Sequence, residues 1–137
     1  MRFNPRPRRR RPASLALELL LILPLLIALI AGMVEFSLIL TARTTLQGAA
    51  VAGARVAALG GDQMAVEAAV RNVLGTGTLS QADITVNPPN PETLPPGAPV
   101  EVIVTIPATK VAPDVLRIIG LSLQPLVLEG RSVMIKE

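Results

Sequence analysis

The dominant pattern along the chain is an almost continuous apolar run over residues 15–40, which reads LALELLLILPLLIALIAGMVEFSLIL. Leu15–Val34 is 20 residues long. That length makes about 30 Å of helix at ~1.5 Å per residue, which matches a hydrocarbon core of roughly 30 Å. Glu18 is the only charged residue in this window. The run therefore predicts a helix that spans a membrane.

Small apolar residues recur at helical spacing after this run. They lie at i, i+3, i+4, i+7 and i+11, which is one face of a helix: Leu46, Ala49, Ala50, Gly53 and Ala57. No proline interrupts residues 41–59, and Gly60–Gly61 is a typical stop. The pattern predicts one helix from Leu15 to Leu59, about 65–70 Å long, with a kink or local loosening at Pro24. The stripe of small residues allows a sheet to pack closely against its second half.

The remaining pattern predicts a small α+β domain over residues 60–137. Its elements are a short helix from Asp62 to Leu74, strands at Ile84–Val86 and Val100–Ile106, a proline-rich loop over residues 87–99, a helical turn at Pro113–Ile119, and a last strand at Leu126–Lys136. The apolar positions of the last strand change parity, which predicts a bulge near Gly130. We expect a three- to four-stranded antiparallel sheet that packs on the small-residue stripe.

The charge distribution predicts the orientation of the span. Six of the 13 basic residues are arginines within residues 1–12, and the rest of the chain has seven basic against ten acidic residues, a net charge of −3. Basic residues beside a span stay in the cytoplasm, so the N-terminus is predicted inside and the domain outside. A tail that binds nucleic acid or acidic lipid is the alternative for the arginines, but no basic face that could follow a nucleic acid lies downstream. A cleaved secretory signal is a rival for the span, although the unbroken apolar run at Leu19–Val34 has 16 residues against the usual 7–15.

The composition disfavours catalysis. The chain has no Cys and no His, which removes thiol chemistry, typical zinc sites and His-based acid–base catalysis. The acidic residues after position 60 show no spacing typical of a catalytic pair. We predict a non-enzymatic protein without cofactor or metal.

Glu18 is the most informative residue of the span. A carboxylate in the middle of a membrane helix costs about 2.5–3.5 kcal/mol, and less near the edge. In one interpretation Glu18 reaches toward the cytoplasmic interface or pairs with the arginine arm. In the other, cleavage between Ala13 and Ser14 produces an α-amino group that neutralises Glu18 of a neighbouring subunit in a low-dielectric bundle.

The ordered motifs around this carboxylate resemble those of known pilus proteins. Type IV pilins and pseudopilins have a short basic leader, a cut, and Glu at the fifth mature position, as in residues 8–18 here. The residue before the cut is usually Gly, and this chain has Ala13. The TadE-like family is the closer resemblance. Its pattern is matched by Glu18, Pro24, Gly32-Met33-Val34-Glu35-Phe36 and the stretch LQGAAVAGAR at residues 46–55.

The resemblance implies a minor pilin or pseudopilin of a tight-adherence pilus assembly or secretion apparatus. Residues 1–13 would be the leader, 14–59 the membrane and assembly helix, and 60–137 a pilin-like extracytoplasmic domain. It implies a single pass through the bacterial inner membrane. The implied partners are other pilin subunits, the assembly platform and a prepilin peptidase, with no nucleic acid.

The resemblance also suggests the residues of the subunit contacts: Glu18, Pro24, Gly32, Glu35, Gly53 and Arg55. Plainer interpretations stay open for the last four. Glu35 would be an interfacial anchor, Arg55 a solvated helix residue, and the two glycines ordinary packing positions. An alternative function is an uncleaved single-pass protein whose outer domain binds a partner in the envelope.

Overall fold

The long predicted helix is present. A computed structural model describes residues 12–137, and residues 1–11, which hold most of the predicted leader, lie outside the described part. Helix α1 extends over Pro12–Ala58, 47 residues in all, and continues through Pro24. It begins three residues before the predicted start and ends one residue before the predicted end.

The elements after α1 form the predicted α+β domain. They are helix α2 at Gln63–Leu74, strand β1 at Asp83–Asn87, strand β2 at Pro99–Pro107, helix α3 at Ala108–Val111 and strand β3 at Val127–Ile135. Short 3-10 turns lie at Thr78–Gln81, Pro91–Thr93 and Val115–Ile119. Asp62 caps α2 as predicted, because its carboxylate accepts a hydrogen bond of 2.8 Å from the Ala65 N–H. The turn near residues 113–119 is confirmed, whereas α3 was not predicted.

The sheet is three-stranded and antiparallel in the order β1-β2-β3. Strand β2 is central, and its alternate residues Val100, Val102, Val104 and Ile106 are fully buried. Period-two alternation of this kind places one face of a strand on the core and the other toward solvent. The single strongest strand pattern of the sequence is thus the middle of the core.

The small-residue stripe of α1 packs against this inner face of the sheet, as predicted. Leu46, Ala49, Ala50 and Ala57 are all fully buried in the same core as β2. Helix α2 adds Val66 and Val70 to that core. A Cβ placed on Gly53 would lie 2.6 Å from a Val70 methyl and 3.2 Å from a Val102 methyl, so this glycine lets α1, α2 and the sheet approach one another.

The bulge predicted near Gly130 is wrong. The pairing of β2 with β3 is continuous from Pro99 opposite Ile135 to Pro107 opposite Val127, with Gly130 opposite Val104. The apparent change of parity has a different cause. Gly130 lies on the inward face of β3, where the backbone of α1 leaves no room for a side chain. The apolar residues Val133 and Ile135 lie on the opposite, exposed face.

Candidate functional site

The first half of α1 is an exposed apolar surface. Its leucine and isoleucine side chains between residues 17 and 30 are about half to three-quarters exposed, for example Leu21 at 78%. Within the described residues, the Ala16–Ala58 part of α1 is long and apolar enough to cross a membrane, judged by length and composition. Soluble proteins rarely expose an apolar surface of this extent. This half of the helix therefore needs lipid or another protein around it.

A buried carboxylate marks the point where this surface meets the domain. Glu35 is only 2% exposed, and it is the sole buried charged residue in the part of the chain whose burial is described. Its Oε1 accepts hydrogen bonds from the backbone N–H groups of Val115, at 2.5 Å, and Leu116, at 3.2 Å. The other oxygen, Oε2, has no hydrogen-bond donor among the described residues. Glu35 thus fixes the chain segment that begins at Val115 to the outer end of the apolar half.

That segment, Val115–Leu121, is named here the apolar turn. Apart from the half-buried Leu116, its side chains are exposed and mostly apolar, with Ile118 at 88%, Ile119 at 59% and Leu121 at 61%. Asp114 closes the segment at its base, because its carboxylate accepts hydrogen bonds from the Ser122 hydroxyl, at 2.9 Å, and from the Leu123 N–H, at 3.0 Å.

The apolar turn lies directly against the exposed half of α1. Leu116 approaches Gly32, where an added Cβ would be 3.5 Å from a Leu116 methyl. Two apolar grooves flank the contact. One, of about 440 Å³, lies between Leu25–Phe36 and the apolar turn, and the other, of about 270 Å³, is lined by Pro24, Ile27, Ala28, Ala31 and the same turn.

The structure brings together three of the predicted assembly residues. Pro24, Gly32 and Glu35 all lie beside the apolar turn, Pro24 and Gly32 in the walls of its grooves and Glu35 at its start. Glu18 is exposed on the apolar half, nearer the N-terminus. The backbone at Ala13 and Ser14 is helical, as part of α1.

The other two predicted assembly residues lie in the domain, away from this site. Gly53, on α1, is buried where that helix contacts α2 and β2. Arg55 is exposed and borders a shallow groove with Leu59 and the end of β3.

Gly130 and Gln47 have structural roles that sequence reasoning did not assign to them. A Cβ on Gly130 would lie 2.3 Å from the carbonyl carbon and oxygen of Leu46, so β3 touches the backbone of α1 there. The Gln47 side-chain amide donates to the Arg131 carbonyl, at 2.8 Å, and accepts from the Arg131 N–H, at 3.1 Å. Glycine inside a strand is a usual sign of close backbone approach, which was the available signal.

The site holds no clustered chemistry of the kind that binds metals. Over the described residues, no group of three or more acidic, His or Cys side chains could hold a metal ion. Arg131 and Glu101 form an ion pair on the outer face of the sheet. The site offers a surface for apolar contact, and the hydrogen bonds to Glu35 hold the apolar turn against α1.

Comparison with known proteins agrees with the motifs. Residues 13–55 match the family model described as TadE-like protein. No curated protein and no solved structure matches the chain. The family match covers α1 almost from end to end and stops before α2. TadE-like proteins are a structural, pilus-associated family of membrane proteins.

Proposed function

We propose, from the TadE-like match of residues 13–55, that this chain is a minor pilin or pseudopilin of a Tad-type pilus assembly or secretion apparatus. It sits in the bacterial inner membrane with its N-terminus in the cytoplasm and residues 60–137 outside. A prepilin peptidase removes the leader after Ala13. The apolar half of α1 then packs laterally against other pilin subunits and the assembly platform.

The observation that carries this proposal is the division of α1 into two halves. Residues 42–58 give their small-residue stripe to the domain's own core, while the side chains around Glu18 remain uncovered. A bundle of such helices can cover that surface. In the bundle, the α-amino group of Ser14 from one subunit lies close to Glu18 of its neighbour and compensates the cost of burying the carboxylate.

The processing step predicts a mature chain that begins at Ser14. N-terminal sequencing and intact-mass measurement of protein extracted from membranes of cells with an active prepilin peptidase test it. A matched sample from cells lacking the peptidase should begin at Met1. An unprocessed N-terminus in both samples contradicts the leader and favours the alternative function, an uncleaved envelope protein whose outer domain binds a partner.

The assembly step predicts that Glu18→Val leaves membrane insertion intact and impairs incorporation into pili. Valine is well tolerated in a membrane helix, so an assembly defect would reflect the lost carboxylate. Leu19→Val, at the neighbouring exposed position, is the matched control and should assemble normally. Sheared-pilus yield and membrane-fraction abundance are measured for both. Normal piliation with Glu18→Val would return Glu18 to a role at the cytoplasmic interface.

A further inference from the structure

We propose that the apolar turn, Val115–Leu121, inserts into the outer leaflet of the membrane beside α1 and contacts lipid acyl chains. This inference rests on the membrane-spanning role proposed above for the first half of α1. It adds a second site of membrane contact, which lies far along the chain from the span.

The apolar turn meets α1 well before the outer end of the apolar run. The side chains of Ile118 and Ile119 share a groove with Pro24 and Ile27. Ile27 lies about 12 Å along the helix from Glu35, the first charged residue after the apolar run, at ~1.5 Å per residue. If the bilayer surface is near Glu35, the tip of the turn is at the level of the acyl chains.

A bilayer cannot lie entirely below the turn. Such a bilayer would have to end before Pro24, and Arg8–Arg11 prevent the span from beginning earlier than residue 12. Residues 12–23 make about 18 Å of helix, whereas the hydrocarbon core is about 30 Å thick. A span of sufficient length therefore extends past the contact, which places the turn at the depth of the bilayer.

The backbone hydrogen bonds of the turn also suit membrane depth. Irregular backbone at membrane depth requires its polar groups to be paired internally. Here Glu35 accepts from the N–H groups of Val115 and Leu116, the Leu121 N–H donates to the Leu116 carbonyl at 3.1 Å, and the Gly120 N–H donates to the Arg117 carbonyl at 3.0 Å.

The side chains fit the same environment. Ile118, Ile119 and Leu121 form an exposed apolar tip that no element of residues 12–137 covers. Arg117 is the only charged side chain within the turn, and its length allows the guanidinium to reach the headgroup region while its stem stays in the apolar layer. The grooves on both sides of the turn are lined by apolar residues and glycine, and they have room for acyl chains.

The test uses the full chain in vesicles of phosphatidylethanolamine and phosphatidylglycerol. Since the natural sequence has no Cys, a single environment-sensitive fluorophore can be attached at Ile118→Cys. Leu25→Cys in the span and Thr76→Cys in an exposed loop are the controls. Each probe is quenched in turn by lipid that carries a nitroxide on its acyl chain and by iodide in the water.

We expect the Ile118→Cys probe to lose emission to the nitroxide lipid to an extent comparable with Leu25→Cys, and to be shielded from iodide. Thr76→Cys should show the opposite pattern. Folding is not at risk, because Ile118 is 88% exposed. If Ile118→Cys behaves like Thr76→Cys while Leu25→Cys reports lipid, the inference is overturned and the span stands. If Leu25→Cys itself reports water, the proposed membrane role fails as well.

Discussion

Replacing Gly130 by alanine should destabilise the outer domain more than a single methyl group usually does. The added Cβ would lie 2.3 Å from the backbone carbon and oxygen of Leu46 and 2.6 Å from the backbone nitrogen of Gln47. Backbone atoms inside a helix cannot move aside as a side-chain end can. Strand β3 must therefore move away from α1, along a contact that lies in the middle of its pairing with β2.

Two glycines of α1, Gly53 and Gly48, provide a comparison for the size of the effect at Gly130 of β3. Overpacking a core typically costs about 1–3 kcal/mol, and removing the glycine's freedom from the unfolded chain returns about 0.4–1 kcal/mol. The difference is about 0–2.6 kcal/mol, and because the obstacle is helix backbone we expect a net loss of about 2 kcal/mol for Gly130→Ala. At Gly53 the nearest obstacle is a Val70 methyl at 2.6 Å, which can shift, so the loss should be smaller. At Gly48 nothing lies within 4 Å, so alanine should stabilise α1 by about 0.5–1 kcal/mol.

Pulse proteolysis with thermolysin in increasing urea, on the full chain in detergent micelles, measures these differences. An m-value of about 1–3 kcal/mol/M converts a loss of about 2 kcal/mol into a midpoint lower by about 1 M. The expected order of midpoints is Gly48→Ala, wild type, Gly53→Ala, Gly130→Ala. A Gly130→Ala midpoint equal to or above that of the wild type would refute the close approach of β3 to α1.

Two further predictions concern the hydrogen bonds that Glu35 and Gln47 make to backbone groups of distant segments. The Val115 N–H also donates to the Pro113 carbonyl, at 2.9 Å, so Glu35→Ala should leave only the N–H of Leu116 without its acceptor, a cost of about 1–3 kcal/mol that is confined to the apolar turn. The alanine variant should speed hydrogen exchange of that amide, and Glu35→Gln should restore much of the protection. Unchanged exchange in the alanine variant would contradict the hydrogen bond to Glu35. Gln47→Ala should remove both side-chain hydrogen bonds to the Arg131 backbone, with a loss of about 1 kcal/mol in the same proteolysis assay. Gln47→Glu, which keeps an acceptor but no donor, should lie between, and an unchanged Gln47→Ala midpoint would count against this contact.

The elements that the sequence predicted well are those whose packing partner follows from the periodicity of a single segment. The apolar run requires a helix that cannot be covered by so small a domain. The stripe from Leu46 to Ala57 requires a flat, close partner, and the alternation in Val100–Ile106 requires a strand with one buried face. Each of these inferences depends on one segment and its periodicity.

The parts that were missed depend on two distant segments at once. Glu35 has a partner 80 residues away in the apolar turn, and nothing in the local pattern of either segment indicates the other. The same holds for Gln47 and Arg131. At Gly130 the glycine was noticed but explained by a bulge, because a change of apolar parity alone does not distinguish an extra residue from an exposed apolar face.

The position of Glu35 connects the two halves of α1. Over the 16 residues before it, Leu19–Val34, the helix is apolar around its whole circumference. From Ala42 onward only one stripe is buried, against the domain's sheet and α2. A buried carboxylate at this junction is costly unless it accepts hydrogen bonds, and the apolar turn supplies two. The domain is thereby attached to α1 at two levels, through the stripe and through the turn. Because α1 is continuous between these levels, the domain is held at a fixed height and rotation about the span. For a subunit that packs by its helix, that constraint determines which face of the domain each neighbour meets.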